Sequence, residues 1–170
     1  MPVRRLNHAV LYVRDVARSV RFYREVLGFE TSYEVPGSAA FLRAPGTAND
    51  HDLGLFQVSA EGAAVPAAVG GADRPGLYHL AWEVGSLPEL ADTRRKLAAE
   101  GALVGASDHR VSKSLYAKDP DGIEFEVMWR VPAQDWKQER QKGQIAPLDL
   151  DAALDRWGDR VTGAAAGSPT

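Results

Sequence analysis

Cysteine is absent from the 170 residues. Its absence removes disulfides, thiolate metal sites and thiol nucleophiles, so a bound metal would have to use imidazole, carboxylate, amide or water. Long apolar runs are missing too. No stretch approaches the roughly 20 residues that span a bilayer, and the opening Met1-Pro-Val-Arg-Arg-Leu-Asn-His8 lacks the apolar core of a signal peptide. The expectation is a cytoplasmic protein without a membrane partner. Nor does charge of one sign dominate: 20 Lys and Arg stand against 23 Asp and Glu, for a net charge of -3. No long basic run supplies the electrostatic footprint of a nucleic-acid binder, so nucleic acid is not an expected partner. The 45% apolar content is enough for one domain, or two small modules, with a real core.

The stretch Asp119-Pro-Asp-Gly-Ile-Glu-Phe-Glu-Val-Met-Trp129 organises the rest of the chain. Pro120 presets φ and Gly122 accepts a positive φ, so a tight turn should feed a strand abruptly. Period-2 alternation puts Glu124, Glu126 and Met128 on one face and Ile123, Phe125, Val127 and Trp129 on the other. The acidic face calls for a partner: a cation, a metal or solvent.

Upstream, Leu6 to Val13 alternates as a strand, with His8, Val10 and Tyr12 on one face. Asp15 is a good N-cap, Val16, Val20, Tyr23 and Leu27 recur at helical spacing, and Gly28 stops the helix. Glu30 to Val35, Ala39 to Arg43 and Asp52 to Val58 read as three further strands. Residues 59 to 76, rich in Ala, Gly and Pro, connect two halves. The order then repeats: strand from Leu77 to Val84, N-cap Ser86, the stripe Leu87, Leu90, Leu97 and Ala98, and the stop Gly101. Leu103-Val104, Val111 to Ala117 and Ile123 to Trp129 supply the remaining strands.

Each of His8 and His79 precedes its N-cap by seven residues, which implies duplication of one βαβββ unit. The expected class is α+β, with two βαβββ modules forming one curved sheet, a half-closed barrel, and helices on its convex side. The expected domain covers 1–131, with modules at about 4–58 and 76–130. Residues 132–170 form an extension, polar from Gln134 to Gln144, helical from Leu148 to Trp157, and disordered from Gly163 to Thr170. Trp136 and Trp157 suggest that it packs on the domain or on a second subunit.

Equivalent histidines in a duplicated unit, with Glu126 on the matching face of a later strand, make a two-His, one-carboxylate set. Such a set leaves coordination positions open and suits non-haem Fe(II), with Mn(II) chemically close. Singly, a histidine of this kind is more often a satisfied core or surface residue than a ligand. The stretches Leu6-Asn-His-Ala-Val-Leu-Tyr-Val13, Arg21-Phe-Tyr-Arg-Glu-Val-Leu-Gly-Phe29, Leu77-Tyr-His-Leu-Ala-Trp-Glu-Val84 and Asp119-Pro-Asp-Gly122 followed by Glu126 resemble the vicinal-oxygen-chelate superfamily. It includes glyoxalase I, fosfomycin and bleomycin resistance proteins and extradiol ring-cleavage dioxygenases, and the resemblance covers Leu6 to Trp129.

Within that superfamily the chain is most similar to bacterial catechol 2,3-dioxygenases, of whose two duplicated domains it resembles the metal-bearing one. The resemblance implies metal ligands at His8, His79 and Glu126. It implies an acid-base histidine at His51, in His51-Asp-Leu-Gly-Leu-Phe56, and an active-site tyrosine at Tyr116. His109 and Ser112, in the run Val104 to Tyr116, join Tyr116 as expected substrate-binding residues, with His109 also a catalytic candidate. A small aromatic diol and O₂ would be the partners and Fe(II) the cofactor, Mn(II) being possible and Ni or Zn capable of entering during purification. A homodimer or higher homo-oligomer is implied by resemblance alone. Two other readings stay open: a glyoxalase-type isomerase or lyase, and a metal-free protein that sequesters a drug or metabolite. Glyoxalases use a fourth ligand, usually glutamate, on the strand before the second half; here Leu53 to Val58 offers only Gln57.

Overall fold

The computed structural model describes residues 5–58 and 77–158; the connection at 59–76 and the disordered end expected at 163–170 lie outside the described residues. Two units divide them. Unit 1 holds the described residues 5–58 with 119–122, and unit 2 holds 77–118 and 123–158.

Unit 1 runs β1 (Ala9–Val13), α1 (Val16–Leu27), β2 (Glu30–Val35), β3 (Ala39–Arg43) and β4 (Leu53–Gln57). Asp15 starts α1 as the spacing predicts, its carboxylate accepting from the Arg18 N–H at 2.9 Å. Gly28 ends it at φ 74°, a left-handed conformation that a side chain would strain. The strands hydrogen-bond in the order β1-β4-β3-β2, with β1 and β4 parallel and the rest antiparallel. Val16, Val20, Tyr23 and Val26 of α1 are buried, as are Leu11, Val13, Leu42, Leu53 and Leu55 of the strands.

Unit 2 repeats this order: β5 (Leu80–Glu83), α2 (Leu87–Ala99), β6 (Leu103–Asp108), β7 (Ser112–Lys118) and β8 (Glu124–Arg130). Its sheet runs β5-β8-β7-β6, again with only the first pair parallel. Ser86 and Glu89 form a reciprocal capping box at the start of α2. Leu87, Leu90 and Leu97 are fully buried, each contributing roughly 1.5–3 kcal/mol of hydrophobic burial. Phe125, Val127 and Trp129 are buried on β8, while Glu124, Glu126 and Met128 alternate with them in partly open positions.

The α+β class and the duplicated βαβββ order stand, with one correction. The expected single curved sheet is two hydrogen-bonded sheets, one per unit, because each βαβββ repeat closes its own ladder. Ala98 is exposed, and Thr93 takes the buried place on α2, bonding the Glu89 carbonyl at 2.8 Å. β6 is longer than Leu103-Val104, since pairing with β7 carries Gly105, Ala106 and Ser107 into the ladder against their weak strand propensity.

After β8 come a short 3-10 turn (Ala133–Asp135), α3 (Trp136–Arg140), β9 (Ala146–Pro147) and α4 (Leu150–Trp157). The stretch read only as polar therefore holds a helix, and β9 adds a fifth strand at the β6 edge. Trp157 packs 5.7 Å from Trp129, ring to ring, and its N–H donates to Asp135; the Trp136 N–H donates to the Val131 carbonyl. No helix among the described residues is long and apolar enough to cross a membrane.

Candidate metal and substrate site

In unit 2, strand alternation and register converge on one cluster. Tyr116 of β7 lies directly across from Glu126 of β8, so both project from the same face. β5 runs parallel to β8 from the pair Leu80 and Phe125, which sets His79, one residue before the strand, beside Glu126. The His79 Nε2 is 3.1 Å from Glu126 Oε2, with side-chain exposures of 24% and 13%. Two donors about 2.1 Å from one ion and at right angles stand about 3.0 Å apart, so the pair fits one edge of an octahedral site. Imidazole and carboxylate are also the donor types that such ions take.

The His79 Nδ1 is buried and has no hydrogen-bond partner among the described residues. Ring contacts orient the imidazole instead: Tyr78 at 4.7 Å and Tyr116 at 5.9 Å between centroids. The Tyr116 hydroxyl is 2.7 Å from His109 Nε2, a bond whose direction follows the imidazole tautomer. Burial, then the Glu126 carboxylate and Tyr78, push the Tyr116 phenol above its usual pKa. It is therefore a neutral hydrogen-bonding group at ordinary pH. Ser112 is nearly buried, and its backbone carbonyl accepts from the His109 N–H at 3.0 Å, which ties it to the turn that carries His109.

In unit 1, His8 lies immediately before β1, exposed, with Nδ1 2.9 Å from Asn7 Oδ1. His51 is next to it, the ring centroids 4.6 Å apart, and also meets Phe41 in a T-shaped contact at 5.1 Å. The His51 Nδ1 is 3.1 Å from the Asp50 carboxylate, and the side chain is 20% exposed. His51 is thus a packed ring and not a solvated turn residue. On β4, Gly54 and Phe56 pair with Val10 and Tyr12 and so share the His8 face, which carries no ligating group there. Gln57 pairs with Val13 on the opposite face, and its side-chain amide oxygen Oε1 accepts from the Val16 N–H at the start of α1.

The structure thus brings together His79, Glu126, Tyr116 and His109 in unit 2, and His8 with His51 in unit 1. Among the described residues no group of three or more His, Asp or Glu side chains forms a ready-made metal cage. A cavity of about 590 Å³ lies elsewhere in unit 1, lined by Val20, Arg21, Arg24, Phe29 and Val35, and contains none of these residues. Sequence reasoning missed two contributors. Tyr78 adjoins a candidate ligand, and Lys113 stands at the apolar parity of β7 beside Leu115 and Ala117, an anomaly legible in the alternation.

A family model for the Glyoxalase/Bleomycin resistance protein/Dioxygenase superfamily matches residues 5–127. The chain is 28% identical over 157 residues to a catechol-2,3-dioxygenase of Bacillus subtilis, covering 91% of this chain and 52% of that protein. It is 30% identical over 162 residues to metapyrocatechase 2 of Cupriavidus necator, covering 93% and 45%. It therefore spans about half the length of these curated relatives. A crystal structure of a glyoxylase/bleomycin resistance protein/dioxygenase domain from Frankia sp. EAN1pec superposes with a TM-score of 0.60 at 25% identity, covering 81% of this chain and 99% of that one. With the paired βαβββ units and a family match across nearly all of both, the chain belongs to the glyoxalase/bleomycin resistance protein/dioxygenase superfamily.

Proposed function

We propose that the protein is a metal-dependent extradiol-type dioxygenase that opens a catechol-like ring with O₂. The observation that carries this reading is the His79–Glu126 pair, with the Tyr116–His109 pair on the same side of the unit 2 sheet. The ligand set proposed is the one the family resemblance implies, His79, Glu126 and His8, with His8 holding in unit 1 the place one residue before the strand that His79 holds in unit 2. Fe(II) held by this set would bind diol and O₂ together and couple them electronically. Mn(II) suits the same donors, and Ni or Zn could occupy them after purification.

The protein's own groups supply the rest. Tyr116 hydrogen-bonds a substrate oxygen, and His109 orients the phenol. His51, packed against His8, acts as the acid-base group, its imidazole exchanging a proton with the reacting centre. Ser112 closes the His109 turn through its backbone carbonyl and joins Tyr116 and His109 as a proposed substrate-binding residue. The working protein is read as a cytoplasmic homodimer or larger homo-oligomer.

A glyoxalase-type isomerase would need a fourth ligand on β4, and Gln57 is committed to α1 instead. Anaerobic reconstitution with Fe(II), metal analysis and a spectrophotometric screen of substituted catechols test the reading. One metal per chain and yellow ring-opened product are expected. His79→Ala should lose the metal, while His51→Phe keeps it and slows ring opening. A protein that binds a small molecule at full occupancy with no metal would instead be a sequestering relative.

A further inference from the structure

On the reverse side of β7 from Tyr116 lies a buried charge network. Lys113 is 2% exposed, and its ammonium is 2.6 Å from Asp108 Oδ1, 3.2 Å from the Arg110 carbonyl and 3.9 Å from Glu139 Oε2. The Trp157 ring lies 5.0 Å below it. A buried ammonium cannot give up such partners without a large desolvation cost. Glu139, on α3, is 1% exposed and receives Lys142 at 2.8 Å and Arg156 at 2.6 Å.

Two of the Lys113 contacts fall in the turn that carries His109. Arg110 there has φ 72°, a left-handed conformation that costs a residue with a Cβ about 1–2 kcal/mol. The turn is held against that strain. The Arg110 N–H donates to Asp108 Oδ1 at 2.7 Å, and its guanidinium Nε donates to the Gln144 carbonyl at 2.7 Å. On either side the His109 N–H donates to the Ser112 carbonyl, and the Val111 N–H donates to the His109 carbonyl. Methionine would fill the Lys113 volume equally well on an otherwise apolar strand face. What the ammonium adds is a simultaneous hold on the Asp108 carboxylate and the Arg110 carbonyl, the two groups that bracket His109.

We propose that Lys113 and Glu139 are positioning residues, through which the C-terminal extension aims the His109 imidazole at the Tyr116 hydroxyl. The functional meaning of this device rests on the reading of Tyr116 as a substrate-facing group, but its existence does not. Asp108 is the relay: it binds the Lys113 ammonium and the Arg110 N–H through the same oxygen. The β6–β7 ladder continues from Asp108 and Lys113 to Leu103 and Ala117, so the hairpin itself can survive loss of the network while the turn loosens.

The test is ¹⁵N NMR of the histidine side chains in the metal-free full chain at fixed pH, with Tyr116→Phe marking where the His109 signals fall when the bond is lost. In Lys113→Met those signals should move at least halfway to that mark, and in Glu139→Gln by a smaller step, while His8 and His51 stay in place. Asp108→Asn, which alters only the relay and keeps the turn's size, should move them the same way and is decisive should Lys113→Met fail to fold. His109 signals at the wild-type positions in folded Lys113→Met or in Asp108→Asn would overturn the proposal. Catechol turnover is recorded separately: absence of turnover in the wild type counts against the dioxygenase reading, and the NMR shifts alone judge the positioning role.

Discussion

Replacing Glu126 by Gln keeps the shape of the side chain and removes the anionic donor from the proposed metal site. Without metal the change should be small. Glu126 and His79 retain 13% and 24% exposure, so exchange of a charged acceptor for a neutral one is worth about 1 kcal/mol or less. With metal the difference should be large. An ion that binds only the folded protein adds about 2.7 kcal/mol at 100 times its Kd. Even a hundredfold loss of affinity, the upper end of what removing a mere supporting hydrogen bond costs a metal site, leaves the variant about 0.4 kcal/mol at the same concentration. Urea unfolding of both proteins in EDTA, in Mn(II) and in anaerobic Fe(II) measures this directly. A stabilisation that is equal in wild type and variant, or absent from the wild type with both ions, would refute the placement of the ligand pair.

Gln57→Glu should leave metal content and affinity unchanged and strengthen α1 by about 0.3–1 kcal/mol, because the carboxylate meets the helix N-terminus; a tenfold gain in metal affinity would show that position 57 reaches the ion after all. Trp157→Ala should cost about 3–5 kcal/mol in urea unfolding, since Trp157 is buried against Trp129 and bonded to Asp135; a loss below about 1 kcal/mol would detach the extension from the core of unit 2. Tyr23 is buried, and burial followed by the Asp119 charge raises its phenol well above 10.0. Its contribution is therefore complete below the unfolded value of 10.0 and lost as pH rises beyond it, because only the unfolded phenol ionises there. Tyr23→Phe should flatten that alkaline slope, and identical slopes in the two proteins would contradict the linkage.

Much of the fold was legible because its signals are local. Asp15 and Ser86 cap helices where their side chains can satisfy N–H groups of the first turn, and Gly28 ends a helix where φ must be positive. Period-2 alternation is equally local, and it put Glu126 on the partly open face of β8 before any partner was known. His8 and His79 were legible for another reason, the repetition of their spacing to the following cap. The division into two sheets had no such signal. Strand pairing between modules is decided by which edges meet, and two copies of one pattern are compatible with a shared sheet or with two.

The network behind His109 was illegible for a stronger reason. Residues 134 to 144 read as a solvated segment, and Lys, Glu and Arg at that density ordinarily belong to one. Burial of Glu139 becomes tolerable only when cations from β7, from the end of α3 and from α4 arrive together, so no window of sequence contains the reason for it. Arg110 is similar: a positive φ is foreseeable at glycine but not at an arginine, where the strain is held by Asp108 and by the carbonyl of Gln144, 34 residues away. Such features arise where tertiary contacts over-determine a conformation that local preference opposes. Here the conformation so held is the turn that presents His109 to Tyr116, which makes the cost of the arrangement informative about its use.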